Sequence, residues 1–318
     1  MGYVFLLIAS FAAISKMAAM KCGGKVCLGA YNSVRINAFR SLICAAVALI
    51  VFFATGARVS GEEWGLWLIS GLSNAVMMFA WLLCSERIPL VFVEAFGMLG
   101  SVAIPLFVAP VLYGETVNAW QWAGVVCLLI ALIFLSLKPR AKRTPATDNA
   151  NIIVNEAAAH NEKTVHKKGF ALTAIYIVLL VVSNAGMCIT QKLYPVRVGK
   201  EYVPFFNLAT FGVVLACFFG VLGAGKAFAG KRLLPENAAS SKKLAIFVTI
   251  AAVMIYVYSF FASLAAEALP SAVYYPLARG VGMLLTVLCD RLIFGQKITK
   301  NVCAGLAFIF AAIVLTSL

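Results

Sequence analysis

Lys16, Arg40, Glu94, Arg279 and the adjacent pair Asp290-Arg291 each lie within or at the end of a long apolar run. Placing such a group in hydrocarbon costs about 2.5–3.5 kcal/mol, so those that persist in a spanning segment mark binding, coupling or gating. At about 1.5 Å of rise per residue, Lys16 and Glu94 are displaced by roughly 8 Å to the same side of their segments' midpoints. Arg40 sits at a similar depth. A Lys16–Glu94 or Arg40–Glu94 pair would then close one end of a cavity or simply fasten helices. With two cations facing one carboxylate, a positive charge remains to attract an anionic or zwitterionic substrate. Glu94 would carry proton coupling if burial raises its pKa whenever it is unpaired.

Arg279 is too deep to reach the interface easily, and Tyr275, four residues before it, shares its helical face. Pro276 between them frees a backbone carbonyl in the preceding turn, a device found where a helix lines a cavity. These features make Arg279 and Tyr275 the leading substrate contacts. Tyr274, Tyr256, Asn74 and Asn184 are further polar positions that either bind substrate or join helices. Asp290-Arg291 reads as a gate or anchor.

The segments that carry these residues are membrane helices. Hydrophobic residues make up 63% of the chain and charged ones 12%, with a mean hydropathy of +0.97, whereas soluble domains carry about 25% charge. Ten apolar runs are long enough to cross a bilayer, at 2–20, 33–54, 64–84, 89–112, 119–137, 170–191, 204–225, 244–266, 271–294 and 301–318. They lack the two-residue alternation of barrel strands, so helices are the remaining way to satisfy the backbone in lipid. The expected fold is all-α and integral to the membrane.

Lys and Arg are distributed unevenly among the connections. Seventeen follow the odd-numbered runs, whereas the even-numbered connections hold Arg58, Lys192, Arg197 and Lys200. The positive-inside rule makes the first set cytoplasmic and turns both termini outwards in a multi-pass protein of the cell's inner membrane. A pI near 9.5 reflects those short loops, and no nucleic-acid partner is expected. His160 and His166 fall in the polar stretch 139–168, which reads as a mobile cytoplasmic linker. Neither this stretch nor the nine scattered cysteines offers metal-site spacing, and no cofactor is expected.

The stretch 86–137 aligns without a gap on 267–318. Eight of the 52 positions are identical, among them Glu86 with Glu267, Pro89 with Pro270, Gly114 with Gly295 and Gly124 with Gly305. The first run of each half gives a fainter echo, Ser15-Lys16 with Ser183-Asn184, and Asn37 falls near Asn207. This divides the chain into a first five-helix repeat (1–138), the linker (139–168) and a second repeat (169–318). Because five is odd, the second repeat enters the membrane inverted. Two such copies can exchange conformations and so supply the two states of alternating access.

Ten runs in two halves, with a Tyr113-Gly114-Glu115 turn followed by Gly124, resemble the EamA-type transporters of the drug/metabolite transporter superfamily. The second copy of the turn reads Phe294-Gly295-Gln296, without the acid. The resemblance implies a secondary transporter with a central cavity lined by spans one, three, four, six, eight and nine, working in the direction of export. The expected partners are a small polar metabolite, such as an amino acid or nucleoside, the lipid bilayer, and protons if Glu94 titrates. Oligomeric state is not legible. The alternatives are a flippase for a lipid-linked substrate, a membrane scaffold, and a membrane-embedded enzyme. The last is disfavoured by the lack of intramembrane His and of paired carboxylates.

Overall fold

A run of apolar residues forms a helix here because hydrocarbon offers no partner for a free N–H or C=O, and every described element is helical. The computed structural model describes residues 1–23, 30–87, 93, 96–136, 156–229, 238–292 and 300–317. In chain order the helices are α1 Gly2–Gly23, α2 Ala30–Thr55, α3 Trp64–Arg87, α4 Phe96–Leu112 and α5 Ala119–Ser136. They continue with α6 Glu156–Arg197, α7 Val203–Ala229, α8 Ala238–Ala268, α9 Ser271–Leu292 and α10 Lys300–Ser317. Seven of the described helices are long and apolar enough to cross a membrane, and Phe96–Leu112, Ala119–Ala131 and Asn301–Leu315 are shorter apolar helices. The protein is a helical, multi-pass membrane protein.

Two expectations change. Residues 156–168, read as part of a mobile linker, belong to α6. Their Ala, Glu and Lys are strong helix formers that can extend a helix already nucleated in the apolar segment. At its other end α6 runs on through Pro195 to Arg197, so Lys192, read as a loop residue, lies inside the helix.

The helices pair in a definite pattern. α1 lies along α8, α3 along α6, α2 along α7 and α5 along α10, with α3 also touching α7 and α2 touching α8. Lipid removes most of the hydrophobic drive between helices, so close approach of small residues has to supply contact. A Cβ on Gly71 would meet Val213 at 2.5 Å, and one on Gly186 would meet Ser73 Oγ at 2.5 Å. Large apolar side chains such as Phe11, Phe53, Phe107, Val111, Ile133 and Phe310 face outwards, as a lipid-facing surface requires.

α4 departs from regular geometry. Pro105 has no N–H for the Ser101 carbonyl, and the helix widens into a π-turn over Leu99–Ala103. Gly100, inside that turn, rests on α6 so closely that a Cβ would come within 2.2 Å of the Val181 carbonyl oxygen. α4 is thereby set firmly on the helix that carries most of the site.

Candidate functional site

α6 and α9 are antiparallel, and their polar residues meet in steps of four. Deepest, Arg279 donates to Asn184 Oδ1 at 3.4 Å and to Cys188 Sγ at 3.7 Å. Asn184 is held in place because its amide donates to the Gly97 carbonyl of α4 at 2.9 Å. One turn on, Tyr275 donates to the Cys188 carbonyl at 3.1 Å and lies 3.3 Å from the Tyr113 hydroxyl. Tyr113 in turn reaches the Ile189 carbonyl at 3.2 Å. A further turn on, Lys192 donates to Glu115 Oε1 at 2.7 Å and to the Leu269 carbonyl at 3.0 Å, and the Ser271 N–H donates to Glu115 Oε2 at 2.6 Å. Four residues of helix rise about 6 Å, so these are three successive layers of one polar column.

The sequence explains how the column is held. Gly114 adopts φ 65°, a conformation glycine takes without strain, and the turn it makes after α4 brings Tyr113 and Glu115 to the ends of α6 and α9. Pro270 precedes Ser271, where α9 begins. Lys192 also lies 5.0 Å from the centroid of the Tyr113 ring. Burial pushes the Tyr113 phenol well above its usual pKa, outweighing its hydrogen bond to Tyr275.

Lys16 on α1 stands over the Tyr258 ring of α8, 4.4 Å from its centroid. It also lies within electrostatic reach of Cys188 and Cys44. Arg40 is 7% exposed and lies within electrostatic reach of Cys44, one turn away on α2. Tyr274 packs edge-on to Tyr275 at 5.0 Å and lies within electrostatic reach of Arg279 and Tyr258. The residues expected to form the site therefore converge in part: Arg279, Tyr275, Tyr274, Asn184 and Lys16 gather around Cys188.

Others fall elsewhere. Tyr256 is packed at 6.2 Å from both Phe211 and Phe260, in the apolar core shared by α2, α3, α7 and α8. Asn74 is buried on α3, next to Ala75 of that core. Arg291 is exposed on the last turn of α9, at the end of the helix away from Ser271. Glu94 and the Asp290 side chain lie outside the described residues, and so do the expected Lys16–Glu94 and Arg40–Glu94 pairs.

Four side chains of the column were not singled out from sequence as site residues: Lys192, Cys188, Tyr113 and Glu115. Tyr113 and Glu115 gave a signal, through the Tyr-Gly-Glu turn. Beside the column, Gln191 donates to Ser259 Oγ at 3.1 Å, which donates to Asn207 Oδ1 at 2.5 Å, linking α6, α8 and α7.

No family model matches the chain, and no curated protein matches it. A solved crystal structure superposes with a TM-score of 0.64 at 14% identity, covering 99% of this chain and 98% of the other. A likeness at that identity shows the fold alone.

Proposed function

We propose that the protein is a secondary transporter of EamA type that moves a small polar organic metabolite across the cytoplasmic membrane by alternating access. The substrate is an amino acid, a nucleoside or a related zwitterion or anion, and the direction is export. The observation that carries the reading is the pairing of helices around the polar column. If ten spans form two inverted five-helix repeats, then α1 corresponds to α6, α2 to α7, α3 to α8, α4 to α9 and α5 to α10. The pairing of α1 with α8 then mirrors that of α6 with α3, and α3 with α7 mirrors α8 with α2.

Individual bonds follow the same relation. Asn37 donates to the Met78 carbonyl of α3 at 3.2 Å, and Asn207 accepts from Ser259 of α8. Ser259 is the residue on which the repeat alignment, continued backwards, places Met78. Inverted repeats hold substrate where they meet, near the middle of the bilayer. Arg279, Asn184 and Lys16, from α9, α6 and α1, gather where helices of the two halves meet, and the sequence opposes the three cations Lys16, Arg40 and Arg279 with a single intramembrane carboxylate, Glu94. Net positive charge at the centre favours a ligand with a carboxylate or phosphate.

A thermal-shift screen of amino acids, nucleosides and organic anions on wild type and on Arg279→Ala tests this reading. A compound that stabilises wild type but not the variant supports it. A screen in which no compound stabilises wild type, with no flux of candidates in proteoliposomes, rejects it.

A further inference from the structure

We propose that Lys192 and Glu115 form the gate at one end of the polar column, and that the protein rests with this end shut. The proposal builds on the transport reading and adds to it the residues that choose between its two states. Three separate connections are fastened at one point: the turn after α4 through Glu115, the end of α6 through Lys192, and the junction of α8 with α9 through Leu269 and Ser271. Glu115 belongs to the first half of the sequence, and all its partners here belong to the second. Opening the column from this end requires α9 to part from α6, and at this end the seam is crossed by the Lys192–Leu269 bond and by the carboxylate, which ties Lys192 to the Ser271 N–H.

The tyrosine layer lies directly beneath. Tyr113 and Tyr275 meet at 3.3 Å and lie between the ion pair and Arg279. The fastening is sealed on its inner side and wet on its outer side, because the Lys192 side chain is 2% exposed and that of Glu115 27%. The nearby Arg197–Glu63 pair, at 2.9 Å, joins the ends of α6 and α3, but its side chains are 46% and 38% exposed. Exposed pairs contribute little, which leaves the buried pair as the stronger tie.

The two positions that the repeat relation pairs with Lys192 and Glu115 carry no charge. The turn that aligns with Tyr113-Gly114-Glu115 reads Phe294-Gly295-Gln296, and the alignment of Ser183 with Ser15 puts Gly24 where Lys192 stands. A charge-assisted bond is roughly twice as strong as a neutral one. With the charged pair present at only one of these two repeat-related positions, the protein is biased towards the state in which the Glu115 end is closed.

Hydrogen–deuterium exchange on the full chain in lipid nanodiscs tests this without any substrate. In Glu115→Gln, exchange is expected to rise by about tenfold over residues 113–118, 186–192 and 269–275. It is also expected to fall at the far ends of the helices, over residues 16–23, 80–87 and 284–292, because opening one end closes the other. A rise at the Glu115 end with no fall at the far end identifies a brace and overturns the gate, as does unchanged exchange at both ends.

Should Glu115→Gln raise exchange everywhere through unfolding, the double variant Glu115→Leu with Lys192→Met decides by the same two readouts, since it leaves no buried charge unpaired. The transport reading fails separately, through the metabolite screen on wild type, so failure of either is recognisable.

Discussion

Lys192 and Glu115 meet at 2.7 Å across a boundary in solvation: 2% of the lysine side chain is exposed and 27% of the glutamate's. The two halves of the pair should therefore differ in what their loss costs. Glu115→Gln strands a buried ammonium with the Leu269 carbonyl and sets an amide N–H against the Ser271 N–H. That should cost about 3 kcal/mol. Lys192→Met leaves a carboxylate that water can reach and that keeps the Ser271 N–H, at about 1–2 kcal/mol. Thermal unfolding in detergent should rank wild type above Lys192→Met above Glu115→Gln. The reverse order would mean that the lysine is not desolvated.

Asn184 faces two ways, donating to Gly97 and accepting from Arg279, so its variants should separate fold from binding. Asn184→Asp turns an oxygen towards the Gly97 carbonyl and loses that bond, at about 1–3 kcal/mol. It also neutralises Arg279, and the stabilisation of wild type by its metabolite should vanish. Asn184→Ala loses the same bond but leaves the arginine charged, so part of the ligand-induced shift should survive. Equal shifts in both variants would remove Arg279 from the binding site.

The positions of these helices were legible in sequence because hydropathy and the cost of an unsatisfied backbone act locally. The Tyr275–Arg279 face was legible too, since four residues make one turn. Lys192 was not. A lysine after an apolar run reads as an interface residue, and the carboxylate that holds it inside lies 77 positions away. Cys188 looked like any small residue in an apolar helix, yet its carbonyl and sulfur join Tyr275 and Arg279. Tyr256 was misplaced for the converse reason: spacing put a tyrosine in a span but could not tell the column from the aromatic core around Phe211 and Phe260.

Gly100 has no room for a methyl group. Its Cβ would lie 2.2 Å from the Val181 carbonyl oxygen and 2.9 Å from the carbonyl carbon, and backbone cannot swing aside as a side chain can. Gly100→Ala must push α4 off α6, costing about 1–3 kcal/mol or more and loosening the Gly97–Asn184 bond. Gly220→Ala, where nothing lies within 4 Å, should be neutral or stabilising, by up to about 1 kcal/mol, from helix propensity. Similar melting temperatures for the two variants would show that α4 does not press on α6.

Tyr113 gives the tyrosine layer a pH dependence whose sign is fixed. Burial holds the phenol protonated in the folded protein above its ordinary pKa, which is about 10 in unfolded chains. A group with a raised folded pKa contributes its full stability below the unfolded value. It loses that contribution as pH rises past about 10 towards the folded value, because only the unfolded chain readily releases the proton. At about pH 8 Tyr113→Phe should be the less stable protein, by roughly 1–2 kcal/mol, for want of its bonds to Tyr275 and Ile189. Between about pH 9 and about pH 11 wild type should lose stability faster than the variant, and the gap between them should narrow. Thermal scans of both proteins across that range decide the point: parallel declines would mean that the Tyr113 hydroxyl is hydrated and the layer beneath the gate is open to water.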